Sequence, residues 1–166
     1  MRPPILAALA AAILAAPPAA ADKHHFEFMN KERVGELRIG TTQAEIARLL
    51  PGQPRRGREV YEAADGMYRQ KWTYARHGIV LSVSSDKKGA PKTVDGITCG
   101  TRCTLKTARG IGIGSPLADV QKAYAAEYNK DESKPDIFVA GSMYGGLILN
   151  FKGGKVSAFF LGAAAE

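Results

Sequence analysis

The chain of 166 residues holds only two cysteines, one tryptophan and three histidines, and each shortage removes a class of function. Two thiols alone make a poor structural zinc site, which takes four nitrogen or sulfur ligands. The histidines are His24, His25 and His77, and the first two fall where the chain is expected to be flexible, so nothing rigid would hold them for catalysis. Gly110-Ile-Gly-Ile-Gly114 has the glycines of a phosphate loop but lacks its Lys-[Ser/Thr] pair and any dinucleotide-fold context. Asp65, Asp86 and Asp95 stand beside turn residues, where aspartate is expected for backbone reasons. Basic residues are not interleaved with an exposed aromatic motif, so a nucleic-acid partner is not expected. No cofactor is implied either. These shortages point away from an enzyme and toward a binding protein. The alternative is a small envelope hydrolase or polymer-modifying enzyme whose site the pattern does not reveal.

The N-terminus has a recognisable plan. Met1-Arg2 carries the positive charge, Ile5 to Ala16 is an apolar run, Pro17-Pro18 breaks it, and Ala19-Ala20-Ala21 supplies small residues for cleavage. Residues 1–21 thus read as a secretory signal peptide, with an apolar run too short for a membrane anchor. The mature protein is expected to be periplasmic or secreted, without a stable membrane anchor. Its first segment, 22–33, is expected to be a flexible tail. Cleavage after Ala21 would start the chain at Asp22-Lys23-His24. The free amine, two amides and the imidazole could then surround Cu(II) or Ni(II) in a square plane. His25 would add a further ligand. The plainer reading is an unstructured start with two incidental histidines.

The two cysteines, Cys99 and Cys103, enclose Gly100-Thr101-Arg102. In an exported chain such a pair reads as a disulfide, and the short closed loop limits its entropic effect. A redox pair would favour Cys-x-x-Cys beside a helix start, and this spacing is longer. The formal net charge is +7. Such a surface favours an anionic partner, most simply a protein with an acidic surface, although charge of this size also serves solubility alone.

Two segments align without a gap. Ile39-Gly-Thr-Thr-Gln-Ala-Glu-Ile-Ala-Arg-Leu-Leu50 matches Ile113-Gly-Ser-Pro-Leu-Ala-Asp-Val-Gln-Lys-Ala-Tyr124. In each, glycine ends an extended stretch and a hydroxyl residue is placed to cap a helix. Thr42 and Glu45 form a capping box, and Ser115 precedes Pro116 at the first helical position. Ile46, Leu49 and Leu50 make one apolar stripe, and Leu117, Val120, Tyr124 and Tyr128 the other. After each helix the period becomes two, as in strands. Tyr68, Gln70, Trp72 and Tyr74 alternate with Arg69, Lys71 and Thr73, and further strands follow over 79–84 and 92–98. Later come strands over 137–140, 147–151 and 156–161, with Lys152-Gly-Gly-Lys155 as a hairpin turn. The expectation is an α+β fold. Two tandem helix-plus-antiparallel-meander repeats, 34–98 and 110–166, form one compact domain about a disulfide-bridged connector, 99–109.

The Ile-Gly-[Ser/Thr]-x-x-x-[Asp/Glu]-[Val/Ile]-x-[Lys/Arg] pattern followed by a meander resembles the BamE/SmpA-like, β-lactamase-inhibitor-protein-like superfamily. The resemblance runs from Val34 to Leu161, and the tandem arrangement is similar to the inhibitor-type members. It implies a non-enzymatic exported protein that binds another protein through a concave sheet face rich in aromatic and charged residues. This chain departs from the lipoprotein members in having no cysteine for lipid attachment, and its single close cysteine pair differs from the inhibitors.

Two candidate surfaces result. The aromatic row Tyr68, Trp72 and Tyr74 would supply anchoring area; alternatively it packs on the helices as core, leaving Arg69 and Lys71 facing solvent. The basic run Arg55, Arg56 and Arg58 reads as a loop after the first helix and joins Arg69 and Lys71 as a binding candidate. Mass spectrometry of the exported protein is expected to give a chain beginning at Asp22; one that retains residues 1–21 would overturn the export reading.

Overall fold

The structure is a computed structural model, and it describes residues 27–164. The segment 1–21, read as a signal peptide, and the candidate metal ligands Asp22, Lys23 and His24, with His25, lie outside the described residues. Helices α1 (Gln43–Leu49) and α2 (Leu117–Ala123), a helical stretch at 27–31 and a 3-10 turn at Ala125–Glu127 accompany eight strands among the described residues. The strands are β1 (Arg55–Arg56), β2 (Val60–Glu62), β3 (Met67–Tyr74), β4 (Ile79–Ser85), β5 (Thr93–Cys99), β6 (Ile137–Ser142), β7 (Gly145–Lys152) and β8 (Lys155–Gly162). They form one antiparallel sheet in the order β1-β3-β4-β5-β8-β7-β6, with β2 also paired to β3. The domain is α+β, and the sheet dominates it.

Alternation divides the sheet into two faces. Trp72, Leu81, Ile97, Leu161, Leu147 and Ala140 stand opposite one another from β3 across to β6. The next row is Tyr74, Ile79, Cys99, Phe159, Leu149 and Phe138. All twelve are buried, and Ile46, Leu50, Val120 and Tyr124 from the helical segments join them in one cluster. Both helices therefore cover this face. Burying each large side chain contributes about 1.5–3 kcal/mol. The opposite row, Thr73, Val80, Thr98, Phe160, Ile148 and Val139, lies outside that cluster; it is open from β3 to β8, while Ile148 and Val139 at the β7–β6 end are buried.

The aligned segments make matching contacts. Gly40 and Gly114 take left-handed backbone angles, with φ of +85° and +86°. Glycine adopts that conformation without the steric cost a side chain would bring. Gly40 N donates to Val94 O at 2.7 Å and Gly114 N to Val156 O at 2.8 Å, while Val94 N and Val156 N return bonds to Thr41 O and Ser115 O. Gln43 N and Leu117 N then donate to Lys92 O and Gly154 O. The last strand of each meander is thus tied to the start of the helix that precedes it.

Several details depart from expectation. Thr42 and Glu45 do form the capping box. Ser115, however, does not cap α2: its hydroxyl accepts from Gly112 N at 3.0 Å, just as Thr41 Oγ1 accepts from Arg38 N at 2.8 Å. Ser115 corresponds to Thr41, and Pro116 holds the capping place without a hydroxyl. The second stripe ends a turn early, because Tyr128 is extended, bridges to Ala140 and stacks on Phe138 at 4.8 Å. Arg55 and Arg56, read as loop, are a strand on β3. The stretch 27–33, expected to be a flexible tail, is instead packed. Residues 27–31 are helical, Phe28 meets Tyr124 edge-on at 6.0 Å, and Glu32 is buried.

Replacing Thr42 by Ala is expected to cost about 1 kcal/mol in urea denaturation, the usual worth of a helix cap. An unchanged midpoint would show that the box contributes nothing.

Candidate functional site

The residues singled out by pattern fall into three groups. Trp72 and Tyr74, at 2% and 5% exposure, lie in the core and offer a partner no area. The Trp72 indole N–H donates to Gln70 Oε1 at 2.6 Å, so its one polar atom is satisfied inside. Tyr68 is half-buried, with its ring 5.1 Å from that of Tyr61. For Trp72 and Tyr74 the burial agrees with the core reading.

Arg69 is held by carboxylates. Its guanidinium meets Asp65 at 2.5 and 3.1 Å and Asp95 at 3.3 Å. Asp65 lies in the turn before β3, as its residue type suggested. Asp95 does not lie in a turn: it stands within β5, beside the bulge opposite Ser82 and Val83. Burial pushes its carboxyl above the ordinary range, and the nearby Arg69 opposes that shift. Arg56 is used as well, its guanidinium sitting 4.5 Å over the Trp72 ring.

Arg55, Arg58 and Lys71 form the third group. All three are exposed, and none makes a side-chain hydrogen bond or ion pair in the described structure. Arg55 is opposite Thr73, on the face that the helices leave uncovered. Arg58 and Lys71 line a cleft with Val60, Glu62, Arg69 and Ser82. Toward the middle of the same face, the Phe160 ring lies on Gly96 and Gly162. A Cβ added at these glycines would come within 3.0 Å and 2.8 Å of that ring. The uncovered face is therefore basic and polar at one end and apolar at its centre.

Pattern reading missed what holds the basic end in place. Lys92, read only as part of a strand, is 4% exposed. Its ammonium pairs with the Glu59 carboxylate and donates to Ser85 Oγ at 2.6 Å. Glu59 also accepts from Gly89 N at 3.1 Å. These bonds tie the β1–β2 connection, which carries Arg58, to the turn before β5. Glu59 and Lys92 are far apart in the chain, and no spacing rule joins them. The Lys92 hydrogen bond, then the Gly89 N–H, holds the Glu59 carboxyl below the ordinary range.

A second missed network closes the connector. The Tyr124 hydroxyl hydrogen-bonds to Glu32 Oε2 at 3.0 Å and Thr107 Oγ1 at 2.6 Å. Arg109 sits 4.7 Å over the Tyr124 ring and forks onto Glu127 at 2.5 and 2.7 Å. Burial drives the Tyr124 hydroxyl far above its ordinary titration range, so it stays a hydrogen-bonding phenol. In the same connector, Cys99 and Cys103 are joined, with Cα atoms 5.4 Å apart, and both are buried. Among the described residues there is no group of three His, Cys, Asp or Glu placed to hold a metal, and no helix long and apolar enough to cross a membrane. Compared with known proteins, the chain matches no family model, no curated protein and no solved structure.

Exchanging Glu59 for Gln leaves the Lys92 ammonium buried without its counter-charge, so the thermal midpoint is expected to fall at neutral pH. Because the folded Glu59 carboxyl is lowered, its contribution is present above the unfolded carboxylate value of about 4.3. It is lost as pH falls through the folded value. The gap between the two proteins should therefore close on acidification, and a gap independent of pH would contradict the pairing.

Proposed function

We propose that the chain is an exported, non-enzymatic binding protein that recognises an acidic surface on another envelope or secreted protein. The face left bare by the helices does this work, with the basic residues at its β1–β3 end. The observation that carries the reading is the contrast within one stretch of chain. Arg56 and Arg69 are engaged by Trp72, Asp65 and Asp95, while Arg55, Arg58 and Lys71 stand exposed and make no ion pair among the described residues. An acidic partner would supply the missing charges, steering the encounter and fixing register. The central Phe160, half-buried over two glycines, would add apolar contact at the middle of such an interface.

The domain is read as two copies of one unit. In each, a left-handed glycine and a short helix precede a three-stranded meander, with the short β1 and β2 added before the first, and the last strands of the two meanders pair with each other. Matching bonds at Gly40 and Gly114 support that reading. So does the resemblance to tandem inhibitor-type members of the BamE/SmpA-like superfamily, which implies the same mode of action. Export through residues 1–21 would put the protein in the periplasm or outside the cell.

Pull-down from envelope extract tests the proposal. A protein partner is expected at low salt and should be lost at raised salt, because exposed charges are screened beyond about 10 Å at 0.1 M. The double reversal Arg58→Glu with Lys71→Glu should abolish capture, while Lys130→Glu at the far end of the sheet should not. Equal capture by both variants would sink the proposal. Turnover of an envelope polymer by the isolated chain would favour the enzyme alternative.

A further inference from the structure

A cleft of about 400 Å³ lies where the loop after α1 meets the turn between β3 and β4. Arg55, Arg76 and His77 line it, with Gln53, Thr73 and Tyr74. Neighbouring clefts contain carboxylates, Glu36 and Glu45 in one, Glu59 and Glu62 in others. This lining contains none. Arg55 and Arg76 have no side-chain hydrogen bond or ion pair, whereas Arg33, Arg69 and Arg109 are each paired with a carboxylate.

The walls are braced. Pairing of β1 with β3 sets Arg55 opposite Thr73. The turn is closed by His77 N donating to Tyr74 O at 3.0 Å and Gly78 N to Ala75 O at 3.3 Å, which places Arg76 on the other rim. His77 Nε2 lies 3.0 Å from Pro51 O. A carbonyl can only accept, so this nitrogen carries the proton, and the ring ties the turn to the loop opposite. Tyr74, almost wholly buried, borders the cleft with its ring edge-on to His77 at 6.3 Å.

We propose that this cleft binds a phosphoryl group, held between the guanidinium groups of Arg55 and Arg76. Each guanidinium fork takes two oxygens in one plane, and two forks suit a group with more than two oxygens and more than one charge. A carboxylate satisfies only one of them. The site shares Arg55 with the protein-recognition face but does not rest on that reading, since Arg76 and His77 play no part in that face.

The test follows the amide signals of Gly52, Gln53, Arg76 and His77 by NMR as inorganic phosphate is added to the mature chain, against sodium chloride at matched ionic strength. Saturable shifts are expected with phosphate. Arg55→Gln and Arg76→Gln should each weaken binding about tenfold or more, the loss expected for a hydrogen-bonded charge. Lys130→Gln should leave it unchanged. Shifts that track ionic strength alone, an affinity untouched in both arginine variants, or acetate binding as tightly as phosphate would each overturn the proposal. The source is read from competition. Displacement of phosphate by phosphatidic acid vesicles, but not by phosphatidylcholine vesicles, identifies a lipid headgroup; displacement by glycerol 3-phosphate alone identifies a soluble ester.

Discussion

The pairing of β5 with β8 is the constraint on which the rest of the molecule depends. Only Gly96–Cys99 and Phe159–Gly162 make this ladder, yet it joins the two meanders into one sheet. On one side it sets Ile97 against Leu161 and Cys99 against Phe159, in the middle of the buried rows. On the other it brings Gly96 and Gly162 together, so that the Phe160 ring can pack close against the backbone there. A slip of one residue would send the buried row to solvent and lift the ring away. The helices depend on the same ladder, because each is hydrogen-bonded at its start to the neighbourhood of β5 or β8.

From that constraint the division of labour follows. Two helices on one face satisfy its apolar rows and leave the other face open from β3 to β8, with Ile148 and Val139 buried beyond it. The bare face ends at the short, interrupted strands β1 and β2, which leave only a broken edge for another chain to pair with. That edge carries unpaired arginines, and the Lys92–Glu59 pair keeps its connection in place. A buried ion pair is a costly way to add stability. Here its structural effect is to hold a charged loop in one position over the sheet.

Much of the architecture was legible in the sequence because it is written in local periods. Alternation at Trp72 and Tyr74, the capping box at Thr42 and Glu45, the Gly153-Gly154 hairpin and the paired Gly40 and Gly114 segments all depend on residues near one another in the chain. The errors arose where a local signal had a distant competitor. Tyr128 continues a helical stripe but leaves the helix to pair with β6. Arg55 and Arg56 look like loop until β3 supplies a strand to pair with. Asp95 looks like a turn residue and is instead beside a bulge within β5. Phe28 and Glu32 precede the first recognisable element, and their partners, Tyr124 and Ala108, come much later.

The candidate site was legible in composition but not in arrangement. The amino-acid sequence by itself determined which residues are strand or helix formers, which face of each strand is apolar, and that arginines concentrate after the first helix. These are properties of single residues and short spacings, set by φ/ψ preference and by the cost of wetting apolar surface. Tertiary structure alone decided which arginines are spent on Trp72, Asp65 and Asp95 and which stay unpaired, and which loop brings Pro51 to His77. The reason is physical: a charge finds its partner through space, at distances of a few ångströms that chain separation does not encode.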